Sequence, residues 1–248
     1  MKKINFGKLK ENILDLFYPR HIKCIFCGEE LNDKSYNDTC ETCLKTLPFI
    51  THSCSRCGAP VALDNDGVCL NCKANNFDFN LARSVFAYSD KVVAVVHKFK
   101  YSKMKFLYEP LANYLCEYLS TWEISPDIIT CVPLYESKQK RRGYNQSELM
   151  ARYLAEKSKI PFHILCTKIV DNASQAELDL KRRKENVKGV YKFNNEYRQM
   201  IKNKTILIID DVYTTGSTCN ELSKIIKANG SKEIYVLTLA HGLGNQKL

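Results

Sequence analysis

The chain has no long hydrophobic run. Its longest apolar stretches are a few residues, well short of the about 20 that a membrane-spanning helix requires, so no span is expected. The opening MKKINFGKLKENILDLFYPR is basic, but Glu11 and Asp15 interrupt any apolar signal segment, and a cytoplasmic protein is expected. Ile13, Leu14, Leu16 and Phe17 suggest instead a short amphipathic helix. Residues 1–78 also lack net charge, carrying ten Lys/Arg against ten Asp/Glu. The whole excess of +10 therefore falls in residues 79–248, with 27 basic and 17 acidic side chains. An anionic partner, a phosphorylated sugar or a nucleic acid, would meet that part first. The overall 45% hydrophobic and 26% charged composition is that of a soluble globular protein.

What residues 1–78 do have is cysteine. Eight of the chain's twelve form four CxxC pairs: Cys24/Cys27, Cys40/Cys43, Cys54/Cys57 and Cys69/Cys72. One CxxC turn presents two thiolates to a tetrahedral Zn²⁺, and two turns complete a closed structural site. Gly28 and Gly58 follow the leading pairs, where a zinc knuckle needs a relaxed turn. A double zinc ribbon over residues 1–78 is expected, with two Zn²⁺ ions. Sequential pairing would join Cys24, Cys27, Cys40 and Cys43, then Cys54, Cys57, Cys69 and Cys72; a cross-brace would interleave them, and spacing leaves both open. Disulfides are disfavoured by the regular spacing and the missing signal. So short a segment buries little core, and metal must supply its stability. Four thiolates per ion leave no open position for chemistry and a formal charge near −4 for the loaded module. Its role is structural or partner-binding. Cys116, Cys131, Cys166 and Cys219 lie in apolar or helical contexts and read as plain buried thiols.

Residues 79–248 alternate apolar strands with helical patterns, which indicates a parallel α/β sheet. The strands are expected at Arg83–Tyr88, Asp127–Pro133, Phe162–Val170, Lys204–Asp211 and Glu233–Ala240. Between the first two, Lys98, Lys100, Lys103 and Lys105 interleave with Phe99, Tyr101, Phe106 and Tyr108. That is the pattern of a strand-binding surface for single-stranded nucleic acid, and also of an amphipathic helix with solvated lysines. After the second strand, Lys138, Lys140, Arg141 and Arg142 make a cationic loop closed by Gly143, where open α/β sheets bind ligands. Pyrophosphate is the anion expected there. The charge-rich stretch after Val170 reads as a hood over the site, with Gln175, Arg182, Arg183 and Asn186 as candidate contacts.

The rest is organised around Thr205–Thr218, TILIIDDVYTTGST. Ile206–Ile209 read as a buried strand, Asp210 and Asp211 sit at its carboxyl edge, and a hydroxyl-rich loop around Gly216 leads into a helix. The helix start offers backbone N–H groups and a favourable dipole to an anion. Thr214, Thr215, Ser217 and Thr218 add donors, and only small residues let a phosphate approach. The carboxylates would repel a phosphate, so their partners are ribose hydroxyls, met directly or through Mg²⁺.

That stretch resembles the phosphoribosyl-pyrophosphate (PRPP) motif of type I phosphoribosyltransferases. Taken with the CxxC module and VPLYESKQKRRGYNQSEL, the chain resembles the ComF family of late-competence proteins over roughly residues 14–241; RGYNQSE, Arg142–Glu148, separates that family from ordinary nucleobase phosphoribosyltransferases. The resemblance implies a type I phosphoribosyltransferase-like domain over residues 79–248. It places Asp210 and Asp211 on the ribose hydroxyls, Thr214, Thr215, Gly216, Ser217 and Thr218 around the 5′-phosphate, and Lys138, Arg141 and Arg142 towards pyrophosphate, with Mg²⁺ accompanying PRPP. It further implies a part in natural transformation, passing single-stranded DNA to the cytosol beside a competence helicase. A catalytic phosphoribosyltransferase and a PRPP-sensing regulator share the motif and stand as alternatives. The hood opens here with Asp171 and Asn172, where the family commonly has a basic residue.

Overall fold

The computed structural model describes residues 21–61, 66–171 and 189–242. The expected N-terminal amphipathic helix and the hood contacts Gln175, Arg182, Arg183 and Asn186 lie outside these residues. The chain divides into two compact units, Met1–Leu47 and Pro48–Leu248.

The described part of the smaller unit is built on Cys24, Cys27, Cys40 and Cys43. The Cys24 turn closes by Gly28 N–H donating to Cys24 O at 2.8 Å, and helix α1 (Glu41–Thr46) carries the last ligand. Cys24, Cys40 and Cys43 are buried where the segment has few other apolar side chains.

The larger unit opens with the second cysteine set, and α2 (Leu70–Ala74) carries Cys72. A parallel sheet follows with strands in the order β1 (Leu81–Ala87), β6 (Glu233–His241), β5 (Thr205–Tyr213), β2 (Ile128–Cys131). Ile206, Leu207, Ile208 and Ile209 are fully buried. A run buried at every position means that the strand is covered on both faces, as parallel sheets require. Helices α3 (Asp90–Tyr101) and α4 (Tyr108–Thr121) link β1 to β2. Next come α5 (Glu136–Arg142) and α6 (Gln146–Ser158), and α7 (Ser217–Ala228) joins β5 to β6.

Three expectations need correction. Phe162–Val170 is not a strand of the parallel sheet. Phe162 makes one bridge to Ile129, and β3 (Cys166–Lys168) pairs antiparallel with β4 (Tyr191–Phe193) in a separate two-stranded sheet. Such short apolar runs do not announce their partner, and here the antiparallel pairing with β4 wins. The cationic run 138–142 is not a loop but part of α5, ended by Gly143 at φ 87°. Lys, Gln and Arg are good helix formers, Glu136 and Lys140 form an i,i+4 pair at 2.5 Å, and Gly143 takes the left-handed cap. Cys116 is also only half-buried, whereas Cys131, Cys166 and Cys219 are buried as expected.

The second cysteine set is bonded into the sheet. Ala82 N–H donates to Arg56 O at 2.8 Å, and the Arg83 guanidinium donates to Ser55 O at 3.0 Å. Gly58 (φ 72°) sits so close to β1 that a Cβ would lie 2.8 Å from Ala82 O and 2.9 Å from Arg83 Cα, whereas a Cβ on Gly28 (φ 84°) would meet nothing within 4 Å. Gly28→Ala is therefore expected to cost about 1 kcal/mol, the left-handed backbone alone. Gly58→Ala adds an overpacking cost of about 1–3 kcal/mol. Zinc release on heating measures both; equal effects would remove the argument from close approach.

Candidate functional site

β5 outruns its neighbour. β2 pairs with it only as far as Ile209, while β6 stays paired up to Tyr213 against His241. Residues 210–213 thus face β6 on one side and an opening on the other, the crevice at strand carboxyl ends where open α/β sheets take ligands. A cavity of about 410 Å³ lies there. Asp210, Asp211, Thr214, Gly216, Ser217 and Thr218 line it from β5 and the following loop, and Lys138, Arg141 and Arg142 from α5. Thr215 and Lys140, also singled out in the sequence, are absent from the lining; Thr215 Oγ1 lies 2.7 Å from Ser217 Oγ and accepts the Ser217 N–H at 3.3 Å, holding the first turn of α7.

Gly216 shapes this loop. It adopts φ 78° at the N-cap of α7, and a Cβ there would lie 2.1 Å from the Tyr213 hydroxyl. Tyr213 is itself 2% exposed, stacked on His241 at 4.8 Å and edge-on to Phe79 at 6.2 Å. The backbone N–H groups opening α7 consequently rest on a fixed aromatic floor.

The acidic pair is not free. Ser147 Oγ donates to Asp210 Oδ1 at 2.8 Å, as does the Asp211 N–H. Lys100 Nζ lies 2.8 Å from Asp211 Oδ1. Burial, and next the charge of Asp211, push the Asp210 carboxyl up to about 7 against the pull of Lys100 and the Ser147 hydroxyl. Burial works against the ammonium of Lys100, but Asp211 outweighs it and its pKa is raised. Opposite, Lys168 also lines the cavity, and burial followed by the charge of Lys138 lowers its pKa. Lys138 Nζ is held 3.3 Å from Asp171. Arg142 lies over Tyr101 at 5.3 Å.

Lys100, Ser147, Lys168 and Tyr191 line the cavity without having been singled out as site residues. For Lys100 the signal was helical phase: Val92, Val95, Val96 and Phe99 form the buried face of α3, and Lys100 borders it. Lys98, Lys103 and Lys105 stay exposed with Tyr101 and Phe106, so the basic–aromatic surface persists without Lys100. The RGYNQSE stretch is a brace. Tyr144 Oη and Gln146 Nε2 both donate to Phe99 O, at 2.6 and 3.2 Å. Asn145 caps α6 by accepting the Ser147 N–H and donates to Val132 O at 3.0 Å.

The cysteines fall into two sets, Cys24, Cys27, Cys40, Cys43 and Cys54, Cys57, Cys69, Cys72, with ligand atoms within 4.8 Å of one another. The pairing is sequential. Four soft thiolates at that spacing suit tetrahedral Zn²⁺ and close the coordination sphere. In the second set the Cys69 N–H donates to Cys54 Sγ at 3.3 Å, and hydrogen bonds from Cys57 and nearby backbone amides hold the Cys54 thiol low, to about 4, in thiolate form. Among the described residues no helix is long and apolar enough to cross a membrane.

Residues 13–73 match the double zinc ribbon domain family. Competence protein F of Haemophilus influenzae is 28% identical over 231 residues, covering 89% of this chain and 97% of its own. DNA utilization protein YhgH of Escherichia coli is 26% identical over 82% of this chain and 90% of its own. Competence protein ComFC of Bacillus subtilis is 24% identical, with coverage of 84% and 89%. Among solved structures, adenine phosphoribosyltransferase from Leishmania tarentolae aligns loosely over 56% of this chain and 73% of its own, at 15% identity and a TM-score of 0.36. The chain is thus similar, nearly end to end, to competence and DNA utilization proteins, and its N-terminal part carries a double zinc ribbon domain.

Proposed function

We propose that the chain binds PRPP in the crevice beside Asp210 and Asp211 and serves, in the cytosol, the uptake of single-stranded DNA during natural transformation. One observation carries the ligand: a carboxylate pair, a hydroxyl-lined helix start and a cationic helix, α5, all face one cavity of about 410 Å³. A ribose diol suits Asp210 and Asp211, a 5′-phosphate suits Thr214–Thr218, and pyrophosphate suits Lys138, Arg141 and Arg142. The names of the H. influenzae, E. coli and B. subtilis relatives support the DNA-handling role. The exposed Lys98, Lys103, Lys105, Tyr101 and Phe106 supply charge and stacking faces for a single strand, and a competence helicase is the proposed protein partner.

The residues fit a protein-held Mg²⁺ poorly. Asp211 is engaged by an ammonium and Asp210 by a hydroxyl and an amide, whereas Mg²⁺ prefers free carboxylate oxygens in near-octahedral array. Mg²⁺ is proposed only as the ion that accompanies PRPP.

The test is PRPP binding by calorimetry with pyrophosphate release followed in parallel, nucleobases and single-stranded DNA being offered as acceptors. Asp210→Asn/Asp211→Asn is expected to weaken PRPP binding by at least about tenfold to a hundredfold, since even one hydrogen bond to a charged group contributes about 1.5–3 kcal/mol. Release that the variant loses would establish a transferase and name its acceptor. No PRPP binding by the unaltered chain would end this reading.

A further inference from the structure

The ammonium of Lys100 lies 2.8 Å from Asp211 Oδ1, on the acidic pair whose oxygens are the kind of ligand a divalent ion takes. Its position is built, not incidental. Lys100 lies in the last turn of α3, where helix carbonyls have no intrahelical partner. The neighbouring Phe99 carbonyl is claimed twice, by Tyr144 Oη at 2.6 Å and Gln146 Nε2 at 3.2 Å. Those donors belong to the segment that also delivers Ser147 to Asp210. One brace therefore sets the lysine, the serine and the carboxylates together. The side chain of Lys100 is 22% exposed and that of Asp211 12% exposed, so the pair is shielded from bulk solvent. Partly buried charges so placed are screened little by salt, and stripping one away leaves the other uncompensated.

We propose that Lys100 is the resident cation of this site: it neutralises Asp211, excludes a divalent ion from the carboxylates, and leaves the pair to recognise a ribose diol directly. The proposal concerns the same site as the PRPP reading and rests on that reading only for the identity of the diol. It makes Lys100 a positioning residue. Any divalent ion that takes part is brought by the ligand's phosphates, and the protein's own carboxylates do not gather it.

Two measurements test this on the full, zinc-loaded chain, in metal-depleted buffer without chelator so that the ribbons keep their zinc. The first uses Mn²⁺ alone, with free ion followed by electron paramagnetic resonance. The unaltered chain is expected to show no Mn²⁺ site that Asp211→Asn removes. Lys100→Gln is expected to gain one, bound about tenfold or more tighter and lost again in Lys100→Gln/Asp211→Asn. Lys100→Arg, which keeps the charge, should behave as the unaltered chain. The second compares PRPP affinity with and without Mg²⁺. When Mg²⁺ is withheld, Lys100→Gln should lose about tenfold more affinity than the unaltered chain does, and recover with it. An Asp211-dependent Mn²⁺ site in the unaltered chain, or no gain in Lys100→Gln, overturns the inference. A Mg²⁺ requirement for PRPP binding that the unaltered chain shows and Asp211→Asn lacks would place the ion on the carboxylate, and overturns it too while leaving the PRPP reading intact. Should PRPP not bind at all, the PRPP reading falls, and the Mn²⁺ arm still decides the role of Lys100.

Discussion

Gly216→Ala is expected to abolish ligand binding in the crevice while leaving both zinc sites loaded. The new Cβ would lie 2.1 Å from the Tyr213 hydroxyl and 2.6 Å from Cζ, on a backbone at φ 78°. The backbone alone costs about 1 kcal/mol, and overpacking against an immobile ring adds about 1–3 kcal/mol. Tyr213 cannot retreat, because His241 stacks on one side and Phe79 meets its edge. The loop must yield instead, carrying the N–H groups at the start of α7 away from an anion. PRPP affinity should fall more than about tenfold, and Tm should drop by about 4–16 °C for a unit of this size. Tyr213→Leu in the same chain should recover part of the stability by opening space. Tyr213→Phe alone should be neutral or stabilising, because its buried hydroxyl has no hydrogen-bond partner among the described residues. Calorimetry and thermal melts check all four, and normal binding by Gly216→Ala would remove the loop from the site.

Removing the second zinc site is expected to destroy the ligand site, whereas removing the first should leave it working. Cys54, Cys57, Cys69 and Cys72 share one buried apolar cluster with Phe79, Tyr213, Leu222, Ile226 and the sheet residues Ile206, Ile208 and Val236. Cys24, Cys27, Cys40 and Cys43 lie in the other unit. A structural Zn²⁺ contributes about 10–16 kcal/mol, as much as the whole stability of an ordinary domain at about 5–15 kcal/mol. Cys54→Ser/Cys57→Ser should therefore unseat Tyr213 and the loop above it, losing PRPP binding and the cooperative melt of the larger unit. Cys24→Ser/Cys27→Ser should lose one zinc per chain with PRPP affinity changed less than about threefold. Zinc content with calorimetry reads both, and equal losses would make the two ribbons one functional module.

The two results would correct a natural assumption, that a zinc ribbon and a ligand domain meet at a boundary near residue 78. The compact units divide after Leu47 instead. Gly58 shows why the sequence conceals this. Its role in a knuckle is visible from its place after Cys57, but its approach to Ala82 and Arg83 of β1 leaves no mark in local spacing.

Much of the site was legible, because its chemistry is local. CxxC turns, an apolar strand ending in two carboxylates, and small hydroxyl residues at a helix start each depend on neighbours a few residues apart. Helix α5 was read as a loop because of its charge density, although Glu136, Lys140 and Gly143 are the pair and cap of a short helix. Lys100 was not. It reaches Asp211 at 2.8 Å across 111 positions, and a lysine among aromatics looks alike whether it faces solvent or a carboxylate. Ser147 on Asp210 and Lys168 beside Lys138 arise in the same way, from helix and strand ends brought to one sheet edge.

By itself, then, the sequence determined the metal chemistry, the parallel α/β class and the acidic, hydroxyl-rich strand edge of the candidate site, since spacing and periodicity encode short-range geometry. The tertiary structure alone decided how the cysteines pair, which cysteine set packs with Tyr213 beneath the Gly216 loop, and which cation neutralises Asp211. Those outcomes depend on long-range packing, in which burial and charge are set by residues that meet only once the sheet has formed.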